Sequence, residues 1–500
     1  MIQLINQSMP NFKAETGYIF DTLFEMMGLK YHSPGKTGVK NLLLSYGDNT
    51  GSLKQTDLYS VHIYRSEYWE NPERFPDRIR TAVYAGHPQE DVHAGLSKIP
   101  YIFYTPLCGK YEVLYFDQET GEPIIARNKN TILTGIDIIA NAFYLLTLSF
   151  EQKIKKRDAL GRFHRKYNPL DSLYDVPWVD RYSNLILWLF KQTGSKDFQK
   201  IPSRWPGDHL FSVALSHDID RIRTWSLSKI FRIIKQNRRR EQYSNPFKML
   251  FTLLQSMLQI DSWQGNFNNI LKIEKMRHST FFFSSNHVHP LDPKYRLTAG
   301  SISRGIDRIM NKKSEISLHG SINSSAEPLL LKQEKLKLEK TSGTTVKGNR
   351  FHYLSFDNQY SWENLEKGGF QYDSTLGFTE EPGFRCGTSL PFKPYNPKKK
   401  SAFSFWEVPL VIMDTELILG SKMNLTARES WPVILKYLEE TKRNGGCLTL
   451  NFHNTNLNAR DPSGYTALYE KILQWSHDNN GWICSLNELC AWWHDHAGRY

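Results

Sequence analysis

The stretch FSVALSHDID, Phe211 to Asp220, decides how this chain is read. A short run of apolar and small residues ending abruptly in His217-Asp218-Ile219-Asp220 has the composition of a strand buried on both faces. Strands of that kind belong to parallel sheets covered by helices, where polar residues gather as each strand runs out into a loop. Downstream, STFFFSS (279–285), EISLHGS (315–321), FWEVPLVI (405–412) and CLTLNFH (447–453) repeat the pattern. The connectors between them are polar or helical. EPLLLKQEKLKLEKTSG (327–343) places apolar residues at helical spacing beside Glu/Lys partners, and Gly343 supplies a C-terminal stop. Strand and helix alternating in this way predict an α/β fold, a sheet or a (β/α) barrel. No repeat of fixed period, Walker loop or GxGxxG motif occurs.

Upstream the pattern changes. YSVHIYRS (59–66) and VLYFD (113–117) read as short strands, with turn signals in YGDNTG and QETGEP. TILTGIDIIANAFYLLTLSF (131–150) has about the length of a membrane span, yet it carries Asp137 and Asn141 and leads into EQKIKKRD. A packed amphipathic helix fits it better than a bilayer. The basic stretch KKRDALGRFHRKYNPL (155–170) reads as a solvated turn or helix end, and Trp178 to Gln192 as a helix. The polar, Pro-containing SKDFQKIPSRWPGDH reads as a linker. The expected division is a mixed α+β domain of unknown role over 1–202 and a barrel over 203–500, with the boundary near Pro202.

Composition narrows the classes. With 40% hydrophobic and 23% charged residues the chain is an ordinary globular protein, neither disordered nor fibrous. Lys and Arg total 63 against 51 Asp and Glu, a net charge of +12 that favours anionic partners without choosing among them. Five cysteines with no C-x-x-C pair indicate neither a disulfide framework nor a thiolate metal site, and fit a reducing compartment. MIQLINQSMPNFKAETGYIF lacks the features of a secretory signal, so a cytoplasmic location is expected. The most basic segment, WSLSKIFRIIKQNRRREQYSNPFKMLFTLLQSML (225–258), reads first as a helical pair capping the barrel, with its charges in solvent. Peripheral contact with the inner face of the membrane, or with an acidic glycan, is its second reading. No nucleic-acid partner is expected, because no reading motif accompanies the charge.

Asp-x-Asp at 218–220, His319-Gly-Ser-Ile-Asn323, Asn349-Arg350-Phe351-His352-Tyr353, Tyr372-Asp373-Ser374 and Asn451-Phe452-His453-Asn454 each fall at an expected strand end. Singly each is weak, since Asp often ends strands or caps turns. In this order they look like one site. Over residues 210 to 495 the chain resembles the polysaccharide deacetylases of carbohydrate esterase family 4, the NodB-homology fold, in a bacterial branch that begins with an "HDVD"-like motif. FYLLTLSFEQKIKKRDALGRF and DVPWVDRY resemble the uncharacterised N-terminal domain that accompanies this branch.

The resemblance implies a distorted (β/α) barrel holding one divalent metal, most often zinc, through an Asp and two His. By position it makes Asp220 and His319 metal ligands and Asp218 the catalytic base. Arg350 pairs with that base, Asp373 supports the catalytic histidine, and His453 acts as general acid. The second family histidine falls on Asn323, whose amide oxygen is a weaker ligand than imidazole. Asn323 is therefore the first candidate to complete the shell, ahead of His352, His287 and His289. His352, beside Tyr353, reads rather as packed. Arg385, in the glycine-flanked GFRCG, is the candidate for a polar substrate group; Trp406 is one for stacking on a sugar ring, though strand aromatics are usually core. The implied reaction is metal-assisted hydrolysis of an N-acyl group, usually acetyl, on an amino-sugar glycan or surface-polysaccharide precursor. The alternatives are a metal-free glycan-binding pseudoenzyme and a hydrolase of a non-glycan amide.

Overall fold

The computed structural model describes residues 2–32, 42–48, 50, 59–73, 76, 78–86, 94–194, 203–222, 254, 263–457 and 464–496. The boundary expected near Pro202 lies outside these residues, and so does the basic segment 225–258 apart from residue 254.

Every residue of the strand Phe211–Ile219 is buried, as the run FSVALSHDID requires of a strand covered on both faces. It lies at the centre of an all-parallel sheet. Thr280–Phe283, Glu315–Gly320, Gly348–Phe351 and Tyr372–Asp373 follow in order on one side, with Cys447–Asn451 on the other. Gly481–Ser485 pairs with the first half of the central strand. Phe281, Phe282 and Phe283 are fully buried, each contributing about 1.5–3 kcal/mol over an exposed ring. Helices Gly300–Asn311 and Pro328–Ser342 pack on Glu315–Gly320, and Ala427–Asn444 packs on Cys447–Asn451. Gly343 ends the second of these in the left-handed region at φ +70°, where only glycine is free of strain.

FWEVPLVI is not one strand. Trp406–Glu407 pairs with Tyr372–Asp373 at one edge of the sheet, while Ile412–Met413 pairs with Leu450 and Asn451 at the other. Pro409, which has no N–H to give, lies between them. One segment thus joins both edges, and the sheet curls into the expected barrel.

The N-terminal half forms a nine-stranded mixed sheet. Tyr31–His32, Ile2–Asn6, Leu42–Gly47, Tyr59–Tyr64 and Thr131–Thr134 run parallel; Pro123–Asn128, Glu112–Asp117, Arg80–Tyr84 and Lys98–Tyr101 continue it antiparallel. The long apolar run divides into a strand and the buried helix Ile138–Leu146. Its two polar residues are fully engaged. Asp137 caps the helix through Ala140 N–H at 2.9 Å and also accepts from Ser66 N–H at 2.7 Å. Asn141 accepts from Ile102 N–H and donates to Phe103 O, both at 2.8 Å. Among the described residues no helix is long and apolar enough to cross a membrane.

A single hydrophobic cluster runs through both sheets, from Ile2 to Trp493. Buried polar pairs fasten the seam. Arg385 forks onto Glu151 with two bonds of 2.8 Å, Arg181 bonds Glu440, and Asp180 accepts from Thr388 Oγ1 at 2.5 Å.

Candidate metal centre and its flanking groups

The strand ends bring the polar residues together. Asp218 and Asp220 leave the central strand, His319 the strand Glu315–Gly320, and His352 follows Gly348–Phe351. Register puts His319 opposite Arg350 and Gly320 opposite Phe351, so His352 emerges one residue beyond the paired region. Gly320 permits this close approach, since a Cβ there would stand 2.8 Å from Asn349 Oδ1 and Phe351.

Among the described residues, Asp220, His319 and His352 offer ligand atoms that all lie within 4.8 Å of one another. Both imidazoles are set for coordination. His319 Nδ1 donates to Arg350 O at 2.8 Å, which leaves Nε2 as a bare lone pair 3.2 Å from Asp220 Oδ1. His352 Nδ1 faces Asp292 Oδ1 at 3.2 Å and Nε2 faces Asp220 Oδ1 at 3.7 Å. An imidazole anchored through Nδ1 by a carbonyl or carboxylate is the usual posture of a metal-binding histidine. Asp220 Oδ1 and His319 Nε2 are buried with no hydrogen-bond partner, a costly arrangement unless something binds both. One carboxylate oxygen and two imidazole nitrogens form a donor set suited to zinc or a similar borderline cation.

Two groups flank the cluster. Asp218 accepts from Arg350 Nη1 at 2.9 Å and from Asn451 Nδ2 at 2.6 Å. Burial works to raise its pKa, but the Arg350 guanidinium, aided by His453, outweighs burial and holds the carboxyl below its ordinary range. Arg350 is itself fully buried and oriented by Ser374 O at 2.9 Å and Ser216 Oγ at 2.8 Å. His453 is the second, with Nε2 3.5 Å from Asp220 Oδ2. Its Nδ1 bonds Asp414 Oδ1 at 2.6 Å, and its backbone N–H donates to Asp414 Oδ2 at 2.8 Å. Burial would lower its pKa, yet Asp414 and then Asp220 and Asp218 push it up to about 9. Asp218 is thus an ionised carboxylate and His453 a protonated imidazole near neutral pH.

Several expectations are corrected here. His352, read above as packed, joins Asp220 and His319 in the cluster that could hold a cation, while Asn323 opens the one-turn helix Asn323–Ser325 beyond the strand. His287 is exposed, and His289 is engaged with Leu291 N–H at 3.2 Å. Asp373 does not support His453, because its oxygens take Asn349 Nδ2 at 2.8 Å, Thr375 Oγ1 at 2.9 Å and Thr375 N–H at 2.8 Å. Asp414 fills that role and was missed. Arg385 faces Glu151 across the seam, and its remaining Nη1 donates to Gly377 O at 3.0 Å. Trp406 is 6% exposed, with Lys393 Nζ over its ring at 4.7 Å, so it offers no free face to a sugar. His217 is buried with both ring nitrogens bonded, to Phe452 O at 2.7 Å and Glu274 Oε1 at 2.8 Å.

No family model and no curated protein matches the chain. Among solved structures it is similar to one from Mycobacterium smegmatis assigned as a polysaccharide deacetylase: 16% identity over 59% of this chain and 93% of that one, TM-score 0.40. An allantoinase aligns at 13% identity over 61% of this chain and 97% of its own, TM-score 0.41. The chitin deacetylase of the fungus Colletotrichum lindemuthianum aligns at 13% over 56% and 86%, TM-score 0.30. At these scores the likeness carries no functional weight of its own; the chemistry rests on the side chains.

Proposed function

We propose that this chain is a metal-dependent hydrolase that removes an N-acyl group, acetyl in the first instance, from an amino-sugar glycan. The observation that carries the reading is the facing of Asp220 Oδ1 and His319 Nε2, both buried and unbonded, with His352 Nε2 beside them. Asp220, His319 and His352 would hold the cation. When bound, a cation in this donor set supplies Lewis acidity to an acyl carbonyl and makes water more acidic.

The protein's own groups do the rest. Asp218, kept ionised and aimed by Arg350 and Asn451, accepts the proton of the attacking water. His453, kept protonated by Asp414, gives its Nε2 proton to the departing amine. Hydrolysis of a C–N bond requires both a base and an acid, and in this proposal Asp218 and His453 take these roles. Once the Nε2 proton is given up, Asp414 keeps the neutral ring of His453 in its Nδ1–H tautomer.

The metal-free alternative rested on Asn323, and it loses that support once His352 offers a third ligand. The test is to load purified protein with zinc, cobalt or nickel, measure bound metal, and assay acetate release from N-acetylated sugars and oligosaccharides. Stoichiometric metal that is lost in Asp220→Ala, together with metal-dependent acetate release, is the expected result. Folded protein that takes up no metal, or releases no acetate from any member of the panel, overturns the proposal.

A further inference from the structure

The basic stretch 155–170, expected to be a solvated turn, reaches the barrel beside His352. Asp158 closes a tight loop: its N–H donates to Arg162 O at 3.0 Å, and its Oδ1 accepts the N–H groups of Leu160 and Arg162, both at 2.9 Å. Asp158 Oδ2 takes Arg162 Nε at 2.8 Å and Nη2 at 2.7 Å, with His164 Nε2 at 3.0 Å. The guanidinium is thereby held in one orientation. Its remaining nitrogen, Nη1, donates to the backbone carbonyl of Tyr353 at 2.8 Å, and the group lies 5.7 Å from the Tyr353 ring centre. Arg165 anchors the stretch further, through Glu380 Oε1 and Pro382 O, both at 2.9 Å.

Tyr353 directly follows the third ligand. It has φ +58°, and Leu354 has φ +51°. Two consecutive side-chain-bearing residues in the left-handed region persist only where their surroundings impose it. The turn they make follows directly on His352, whose imidazole lies between Asp220 on one nitrogen and Asp292 on the other.

We infer, building on the function proposed above, that Arg162 is a positioning residue for metal binding. By gripping the Tyr353 carbonyl it holds the left-handed turn that presents His352. The third ligand's placement therefore depends on a segment outside the barrel. Groups that orient ligands in this way change metal affinity about 10- to 100-fold.

Full-length protein tests this without an activity assay. Zinc affinity is measured by chelator competition, and ligand geometry by the visible absorption of the cobalt form. Arg162→Ala should weaken zinc binding at least about tenfold and alter the cobalt spectrum. Arg162→Lys should restore part of the affinity, because an ammonium can reach the carbonyl but cannot also fork onto Asp158. Lys166→Ala, on the same stretch, should bind zinc as the parent does. Should Arg162→Ala fold poorly, Asp158→Asn frees the guanidinium while leaving it present, and an intermediate loss is expected. Zinc affinity within about twofold of the parent in the folded Arg162 or Asp158 variant overturns the inference, being far below the effect such groups exert. A parent chain that takes up no zinc overturns the functional proposal and this one with it; a parent that binds zinc beside variants that bind equally well overturns this one alone.

Discussion

Arg385 with Glu151 at the seam, and Asp220 with His319 at the barrel mouth, both set a carboxylate against a basic side chain with the facing atoms out of water. At the seam the bonding closes: Arg385 uses Nε and Nη2 on Glu151 and Nη1 on Gly377 O. At the mouth it does not close, for Asp220 Oδ1 and His319 Nε2 stand 3.2 Å apart with no hydrogen bond to either. Burial and charge are common to both regions. Unmet lone pairs aimed at one point are what separate a candidate site from a fastening.

Breaking the contrast at the mouth should give the largest effect. His352→Ala should abolish stable zinc uptake and lower acetate release at least about thousandfold, since a Lewis acid supplies several kcal/mol; metal analysis and the acetate assay read both. At the seam, Arg385→Met strands the Glu151 carboxylate and should cost about 3–5 kcal/mol of stability by denaturant titration, while zinc affinity of the folded fraction stays that of the parent. Asp414→Asn should lower kcat about a hundredfold, the scale of a lost general acid. It should also move the alkaline limb of the pH profile downward, because His453 then falls from about 9 toward its ordinary range.

A finer test uses pH at the seam. Burial pushes Asp180 up to about 6 from an ordinary 3.8, against its bonds to Ser389 and Thr388. The folded state therefore binds this proton more tightly than the unfolded chain. Its contribution to stability is full below about pH 4 and is lost as pH rises through about 6. Asp180→Asn should narrow the difference in unfolding midpoint between pH 5 and pH 7. The smallest effect belongs to Asn323→Ala, which should change stability by about 0.5 kcal/mol or less and leave zinc affinity unaltered.

Much of the barrel was legible because its strands are short apolar runs with polar ends, and the motifs at 218–220, 319 and 453 mark those ends directly. His352 was ranked behind Asn323 because the resemblance assigned the second family histidine to the position of Asn323. The structure brings His352 to Asp220 and His319 from the end of the neighbouring strand, and the pairing of Gly320 with Phe351 that does so is long-range information that no local spacing contains. Asp414 was hidden for a related reason. The pairing of Ile412–Met413 with Leu450 and Asn451, which brings Asp414 beside His453, joins segments far apart in the sequence. Arg385 was misplaced because a loop over a cleft and a loop buried in a seam have the same composition, whereas Trp406 is core, as strand aromatics usually are.

The segment from Trp406 to Met413 acts as a clasp for the whole hoop. Because its two ends complete opposite rims, neither Tyr372–Asp373 nor Cys447–Asn451 presents a bare ladder to which a foreign chain could add. Residues 405 to 414 are all buried, so this clasp is closed to proteases, and the same enclosure keeps Asp414 next to His453.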